Sequence, residues 1–381
     1  ARKQALADAM FAGGGAAATP ASRGIKFTRA SLEKFEPFAD TSTQLTAATQ
    51  ALTPIEVPAV GYLRGIYLYI TAASGADDGT PDVAAAADSP WNLISELALK
   101  DVSGGNLFGP VNGFDLFLIN KWGAYANSAN PLYSPVYSAV DVNGNFSYVL
   151  YIPAEIVARN AFGSLINQNA TNPYRLHITL AAAASLYDAV PGTTLPTIRV
   201  RAYISAWAKP SANDPAGNPQ EQLPPGMGTT QYWTKSVIAT AVGENTLSLP
   251  RKGNYIRTLI LTQRDDSGVR EGADLPADSV RVVIDGYEKE NLPPALIRHL
   301  MQQRYGYDDL EAVTAADDDE GVLVYPFSHD WDGKPGSELG DLWMPTAMAS
   351  RLEINGTWQN TVGTLEVLTN DIAPAPGIFG R

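Results

Sequence analysis

The chain of 381 residues contains no cysteine and only three histidines. Without cysteine it has no disulfides and no thiolate metal sites, so its stability must come from packing or from association. His177, His299 and His329 lie in separate segments, and no Gly-x-Ser-x-Gly sequence accompanies them. The sequence therefore gives no support to a Ser-His-Asp hydrolase.

Long apolar runs and basic charge are also scarce. No run of about 18 or more apolar residues is present, which excludes a membrane-spanning helix. The 27 Lys and Arg residues are outnumbered by 40 Asp and Glu residues, for a net charge of −13. Binding of nucleic acid requires clustered basic residues, so sequence-specific nucleic-acid binding by the body of the molecule is not expected.

The basic residues are unevenly distributed. Residues 1–35 hold six basic and two acidic side chains, and residues 1–50 are rich in Ala, Gly and Thr. This composition predicts an N-terminal arm, which is either solvated or docked on an acidic neighbour, an anionic lipid surface or another subunit. The residues expected to make such contacts are Arg2, Lys3, Arg23, Lys26 and Arg29.

The 33 glycines and 27 prolines separate short runs rich in Tyr, Val, Ile, Leu and Thr, which is typical of many strands joined by loops. Helical spacing predicts short helices at 154–165 and 294–305, and weaker signals indicate helices at 4–11 and 31–35. The predicted strands are 61–72, 93–102, 114–122, 146–152, 174–182, 197–207, 232–242, 246–249, 255–263, 279–287, 321–327, 351–357 and 363–370.

One strand pattern occurs twice. Residues 62–68 (YLRGIYL) return 193 positions later as residues 255–261 (YIRTLIL), and a second strand candidate follows each copy, at 93–99 and at 280–284. The repeat predicts two similar units in tandem, with the two copies in equivalent strands.

Proline content and the repeat together suggest domain boundaries. Five prolines between residues 208 and 230 disfavour a strand ladder and indicate a linker. The predicted organisation is an N-terminal arm (1–50), a first domain (51–208), a Pro-rich linker (209–231), a second domain (232–372) and a C-terminal tail (373–381).

Three passages of the first half resemble a known family. Residues 113–120 (GFDLFLIN), 148–154 (YVLYIPA) and 174–180 (YRLHITL), with 91–94 (WNLI) before them, are similar to the first jelly roll of the tectivirus major capsid proteins. Tectiviruses are tailless icosahedral phages with an internal membrane. The resemblance covers residues 55–207, while the second half matches only in length, strand count and its strand-linking helix.

The resemblance implies an all-β fold of two tandem eight-stranded antiparallel jelly rolls, a double jelly roll, with short strand-linking helices and an N-terminal arm. It further implies a major capsid protein, assembled as pseudo-hexameric homotrimers that tile an icosahedral virion shell over an internal membrane. Expected partners are other copies of the chain, further virion proteins such as a vertex protein, and the membrane through the arm. The expected location is the virion shell, with the host cytoplasm during assembly. No catalytic residue and no cofactor is implied.

Other functions remain open at this stage. Acidic residues at Asp317, Asp318, Asp319, Asp330 and Asp332 could hold a hard cation, although a solvated acidic loop is the commoner arrangement. A carbohydrate-binding or glycoside-hydrolysing β-sandwich is the main rival, because the seven tryptophans could stack on sugars if they were exposed. A trimeric virion spike or receptor-binding protein would also be rich in strands.

Overall fold

The computed structural model of the chain describes residues 24–77, 79, 82–123, 125, 135–250, 254–270, 275–276, 278–305, 321–327, 343–358 and 362–375. The predicted helix at 4–11 lies outside this part of the chain. No helix in the described ranges is long and apolar enough to cross a membrane.

The first half of the chain forms two facing antiparallel sheets. One sheet has the strand order β1-β12-β4-β8, with β9 beside β4, and the other has the order β7-β6-β10, with the short β2 and β3 both pairing β10. A separate pair joins β5 and β11. The strands are β1 (Glu33–Gln44), β2 (Gln50–Ala51), β3 (Ile55–Glu56), β4 (Tyr62–Ala73), β5 (Ala84–Ala85), β6 (Ile94–Lys100), β7 (Asn106–Val111), β8 (Phe146–Pro153), β9 (Leu165–Ile166), β10 (Arg175–Leu180), β11 (Tyr187–Ala189) and β12 (Thr197–Trp207).

The second half repeats this topology. Its first sheet has the order β13-β21-β15-β18, with β19 beside β15, and its second has the order β14-β20-β16-β17. The strands are β13 (Thr230–Thr240), β14 (Gly243–Ser248), β15 (Tyr255–Arg264), β16 (Val280–Ile284), β17 (Tyr287–Leu292), β18 (Val322–Pro326), β19 (Met344–Pro345), β20 (Leu352–Trp358) and β21 (Gly363–Ala373). If β2 and β3 are taken as one interrupted strand, each half is an eight-stranded jelly roll, as predicted.

The repeat in the sequence corresponds to a repeat in the structure. Residues 62–68 lie in β4 and residues 255–261 in β15, and each of these strands is third in the order of its sheet. The register agrees too, because the pairing shifts past Arg64 between β12 and β4 and past Arg257, 193 positions later, between β21 and β15. The predicted equivalence of the two copies is confirmed.

Two-residue alternation explains how each roll builds its core. On β4 the side chains of Ile66, Leu68 and Ile70 are fully buried between the sheets, while Tyr67 and Tyr69 point to the other face. Burial of each aliphatic side chain contributes about 1.5–3 kcal/mol. This interior fixes the strand register, since a shift by one residue would turn the apolar set outward.

Four helices are described: α1 (Phe27–Ala30), α2 (Gly113–Trp122), α3 (Ala183–Leu186) and α4 (Pro294–Tyr305). Helix α4 has the bounds that the sequence predicts, but the predicted strand at 114–122 is wrong, because these residues form α2. Asn112 Oδ1 accepts from the Asp115 N–H and Asp115 Oδ2 accepts from the Asn112 N–H, a capping box that starts the helix. All ten residues of α2 are buried, so its sequence shows no polar face that would reveal helical periodicity.

The helix predicted at 154–165 is also wrong. Ala161 and Gly163 adopt positive φ angles of 65° and 79°, which a right-handed helix does not permit, and Val157 pairs with Phe162 as an isolated bridge. The helix expected at 31–35 is displaced, since α1 ends at Ala30 and β1 begins at Glu33.

The predicted boundaries of the first domain also change. Strand β1 lies within the predicted arm, yet it pairs along its length with β12, so the first roll begins at Glu33 rather than at residue 51. Strands β7 and β17 were not predicted, because each is short and carries polar residues or proline. Residues 208–229 contain no strand and connect β12 to β13.

Candidate assembly surface

The two rolls are joined at one strand pair. Strand β7 of the first roll runs parallel to β13 of the second, and Phe108 pairs with Trp233 in a single bridge. Both side chains are only 2% exposed. The bridge connects a sheet of each roll into one ten-stranded sheet, so the contact between rolls is part of the core rather than a loose hinge.

Helix α2 fills the space beside this junction. On one side, the Asn120 side chain covers the open edge of β8: its Nδ2 donates to the Tyr151 carbonyl at 2.7 Å, and its Oδ1 accepts from the Tyr151 N–H at 2.7 Å. On the other side, Phe114 and Asp115 face the second roll, and the Arg270 guanidinium lies 4.6 Å from the centroid of the Phe114 ring. The helix is therefore packed between the two rolls.

A chain of six charged side chains crosses the same junction. Asp88 and Asp115 belong to the first roll, and the other four lie on the sheet face of the second roll or in the loop that follows β15. Lys235 Nζ is 2.9 Å from Asp115 Oδ2 and 2.9 Å from Glu366 Oε1. Arg264 continues the chain at 2.8 Å to Glu366 Oε2 and 2.8 Å to Asp88 Oδ2, and Arg270 also pairs with Asp88.

Burial and neighbouring charges act in opposite senses on these groups. Burial raises the pKa of Asp115 above its ordinary value, even though Lys235 favours its charged form. Burial alone would also raise the pKa of Glu366, but Arg264 and Lys235 together hold the pKa of that carboxyl below its ordinary value. Lys235 is held in its charged state, because the two carboxylates raise its pKa against the effect of burial. The charges alternate in sign, so the two rolls are held in one relative position.

The outer face of the sheet β1-β12-β4-β8 is aromatic. We call this surface the aromatic face and define it by Phe35, Tyr67, Tyr69, Tyr151 and Tyr203. Ring centroids are 5.3 Å apart between Phe35 and Tyr67, and 4.4 Å apart between Tyr67 and Tyr151. The Phe35 side chain is 58% exposed. A cluster of aromatic rings on an open sheet face is typical of protein interfaces.

Arginine accompanies the aromatic rings. The Arg201 guanidinium lies 3.9 Å from the centroid of the Tyr69 ring, and its Nε is buried without a hydrogen-bond partner among the described residues. Arg199, two residues earlier on β12, pairs with Asp40 of β1. The pKa of Asp40 is lowered by its hydrogen bond to Arg199.

The start of the described chain is anchored at one end of the first roll. Phe27 is 1% exposed and meets Tyr62 and Trp207 edge-on, with ring centroids 5.3 Å and 6.2 Å apart. The Phe27 N–H donates to Glu221 Oε2 at 3.0 Å, and Ile25 pairs with Gln220. Residues 24–31 are therefore fixed against the linker.

Glu155, whose carboxylate is buried, ties the same end to the second roll through its backbone. Glu155 accepts hydrogen bonds from Arg64 Nε at 2.9 Å and from Trp207 Nε1 at 2.8 Å. Its backbone carbonyl accepts from Gln231 Nε2, at the start of β13, at 2.8 Å. Burial raises the pKa of Glu155, although Arg64 and the Trp207 donor favour its charged form.

Two of the predicted arm residues lie in the described part of the chain. Lys26 immediately precedes α1 and Arg29 lies in it, and both side chains are exposed on either side of the buried Phe27. Arg2, Lys3 and Arg23 lie outside the described residues.

The acidic residues Asp317, Asp318, Asp319, Asp330 and Asp332 lie outside the described residues as well. Within the described ranges, no group of three or more His, Cys, Asp or Glu side chains is placed to hold a metal ion. Six tryptophans are described, and each is at most 8% exposed, which confirms that they pack in the interior rather than forming a sugar-binding surface.

The residues that build the junction were not predicted as site residues. Asp88, Asp115, Lys235, Arg264 and Glu366 are single charges scattered over the sequence, and only the fold brings them together. The one local signal was the pair Asn112 and Asp115, whose spacing matches a capping box and could have revealed α2.

No family model and no curated protein sequence matches the chain. Solved structures do match it. The STIV MCP aligns with a TM-score of 0.58 at 14% identity, covering 90% of this chain and 95% of that one. The PBCV-1 virus capsid aligns with a TM-score of 0.56 at 10% identity, covering 91% and 96%. The major capsid protein of bacteriophage PM2 aligns with a TM-score of 0.51 at 10% identity, covering 90% and 98%.

The chain thus has the double jelly-roll fold of viral major capsid proteins, along nearly its whole length. These comparisons agree with the two-roll topology and do not distinguish a tectivirus type from the other viruses.

Proposed function

We propose that the chain is the major capsid protein of an icosahedral virion, working as a structural component of the shell and not as an enzyme. The observation that carries the proposal is the pair of topologically identical rolls locked together through the β7–β13 bridge and α2. A chain that presents two similar units side by side can tile a shell as if it were two subunits.

The assembly unit in this proposal is a homotrimer with a pseudo-hexagonal outline. The contact between the rolls is head-to-tail, because it uses the β7 and α2 side of one roll and the sheet face of the other. A head-to-tail contact leaves one contact surface of each kind without a partner, one on each roll. When the same contact is repeated between chains, it closes a ring if the rotation from one unit to the next permits. Three chains would place six rolls in that ring.

The arm then contacts the inner side of the shell. Phe27 anchors the arm at one end of the first roll, and the exposed Lys26 and Arg29 lie beside this anchor. We propose that the arm, with Arg2, Lys3 and Arg23, meets the internal membrane, a neighbouring subunit or another virion protein such as a vertex protein.

The test is the native mass of the purified protein, measured together with negative-stain images of the same sample. The expected result is a species of three chains with a hexagonal outline. A stable monomer would overturn the proposal, and glycan arrays and sugar substrates would then test the carbohydrate-active alternative.

A second experiment addresses the arm. Deletion of residues 1–23 leaves Phe27 and its contacts intact, so we expect a folded trimer that assembles poorly into shells. Co-sedimentation of the full-length protein and of the deletion variant with anionic liposomes, at low and high salt, distinguishes lipid from protein contacts, because salt screens an electrostatic attachment.

A further inference from the structure

The registers of the two rolls can be matched residue by residue. Strands β4 and β15 are related by the same offset of 193 positions as the sequence repeat, and the cross-strand pairs extend this match over three strands of each sheet. One row across the first roll and the equivalent row across the second are, in strand order, Phe35, Ser205 and Gly65, and Trp233, Asn370 and Thr258.

Phe35 therefore occupies the position of Trp233, in the opposite environment. Trp233 is 2% exposed because it meets Phe108 of the other roll, whereas Phe35 is 58% exposed. The next equivalent positions show the same contrast: Ile260 is fully buried at the junction, while its counterpart Tyr67 is half-buried. The aromatic face is thus the counterpart, in the first roll, of the surface that the second roll buries at the junction.

The other side of the junction also has an open counterpart. Strand β7 and helix α2 correspond to β17 and α4 in the second roll, by their places in the topology. Strand β17 is the last strand of its sheet, as β1 is of its own, so each has an edge with no strand beside it in the described structure. Helix α2 is buried throughout, whereas α4 exposes Leu296, His299 and Gln303, spaced i, i+3 and i+7 on one face.

We propose that the edge of β17 and the exposed face of α4 dock on the aromatic face and β1 of a second copy of this chain, repeating between chains the junction that β7, α2 and β13 make within one. The inference rests on the proposed function and goes further, because it assigns the residues of the contact. We infer that the partner is another copy of this chain because the two open surfaces are the counterparts of the two surfaces that meet inside one chain.

The chemistry of the two surfaces fits this contact. The aromatic face supplies rings and arginine, the residue types enriched at the centre of protein interfaces. Arg201, whose Nε has no hydrogen-bond partner among the described residues, lies at the position of Glu366, the central carboxylate of the junction within the chain. Strand β17 brings two carboxylates, Glu290 and Glu288, the second of which also accepts from Asn291 Nδ2 at 2.9 Å, and a carboxylate is the acceptor that matches an arginine.

Because the chain has no cysteine, the contact can be tested with single introduced thiols. The first variant is Phe35→Cys on the aromatic face, and the second is Glu288→Cys on β17, both at exposed positions. The two proteins are co-assembled, treated with a short bismaleimide and run on a denaturing gel. We expect covalent dimers from the mixture, none from either variant alone, and a covalent trimer from the double variant.

The matched control replaces Phe35→Cys by Arg175→Cys, an exposed position on the other sheet of the same roll. The protein could be a trimer by native mass and yet cross-link through Arg175→Cys, or through neither position. Either result would overturn the assigned faces and leave the capsid proposal intact. A wild-type chain that stays monomeric would overturn both.

A charge substitution gives an independent readout. Phe35→Glu places a carboxylate at the centre of the proposed contact, and we expect it to convert trimers to monomers with an unchanged far-ultraviolet circular dichroism spectrum. Val102→Glu, at a residue that is 60% exposed and follows β6 in the other sheet of the first roll, should leave the trimer intact. A trimeric Phe35→Glu protein would contradict the proposal.

Discussion

Lys235 Nζ stands at the same distance, 2.9 Å, from Asp115 of the first roll and from Glu366 of its own roll. One ammonium group therefore pairs with two buried carboxylates across the junction. Removal of Lys235 leaves the buried Asp115 without its ion-pair partner, and breaking a buried pair in this way typically costs about 3–5 kcal/mol.

We accordingly expect Lys235→Met to lower the free energy of unfolding by about that amount, because the substitution keeps the apolar stem and removes the charge. Urea unfolding at a fixed chain concentration measures the change. Lys209→Met is the control, since Lys209 is exposed in the linker and should change stability little. Equal stability of the two variants would show that the ion chain does not hold the rolls.

The pH dependence of stability should reveal the role of Glu366. Its pKa in the folded state is lowered below the ordinary value of 4.5 by Arg264 and Lys235, against the effect of burial. A lowered pKa contributes stability that is present above the unfolded-state value and is lost as the pH falls through the folded-state value. Asp115, whose pKa burial raises, changes in the opposite sense and partly offsets the loss.

We therefore expect Glu366→Gln to be less stable than the wild type at neutral pH, with a difference that shrinks as the pH falls below 4.5. Urea midpoints across this pH range measure it. Glu96→Gln, at an exposed position on β6, should follow the wild-type curve. A Glu366→Gln curve that runs parallel to the wild type at all pH values would exclude this linkage.

The next prediction concerns Phe27, the residue that anchors the arm to the first roll. Phe27 is enclosed by Tyr62 and Trp207, and Phe→Ala substitutions in such sites cost about 3–5 kcal/mol when the whole fold depends on them. Residues 24–31 contact the linker and the end of the roll but belong to no sheet, so Phe27→Ala should release this segment without unfolding the rolls.

Limited proteolysis and hydrogen exchange at residues 24–32 measure the release of this segment. We expect faster exchange there and an unchanged thermal midpoint for the rolls. Val242→Ala is the control, since Val242 is exposed between β13 and β14 of the second roll and does not lie in the anchor. Global unfolding of Phe27→Ala would show that the anchor is part of the core of the first roll.

The sequence predicted the second roll better than the first, for a physical reason. In β13, β15, β16, β20 and β21 apolar residues recur with strand periodicity between loops, and helix α4 has both an apolar and a polar face. Helix α2 is buried on all sides, so the runs around Phe114 and Leu118 look like a buried strand. Strand β1 is an edge strand with exposed polar positions and Pro37, so its sequence resembles a loop.

The assembly surface was hidden from the sequence for another reason. The equivalence of Phe35 and Trp233 depends on strand register. That register is known only from the strand pairing, which places Gly65 and Thr258 at the same position of their sheets. The charged residues of the junction are isolated in sequence, and their partners lie on strands contributed by both halves of the chain. Tertiary pairing, rather than any local motif, makes these sites.

Crowding around Gly61, directly before β4, restricts which residue the first roll can hold at that position. Gly61 has a φ of +62°, and a Cβ placed there would lie 2.1 Å from the carbonyl oxygen of Trp207. Gly217, in the linker, has a φ of +84° but no atom within 4 Å of the same position. The two glycines share a left-handed backbone and differ in crowding alone, so their alanine variants separate the two effects.

We expect Gly217→Ala to cost about 1–2 kcal/mol, the penalty for a non-glycine residue in the left-handed region. Gly61→Ala should cost more than this, because the backbone at the end of β12 must also move, and that movement disturbs the nearby contacts of Trp207 with Glu155 and Phe27. Urea unfolding of both variants measures the difference, and tryptophan fluorescence reports the environment of Trp207. Equal losses in the two variants would mean that the left-handed backbone, and not the close approach of β4 to β12, requires glycine at position 61.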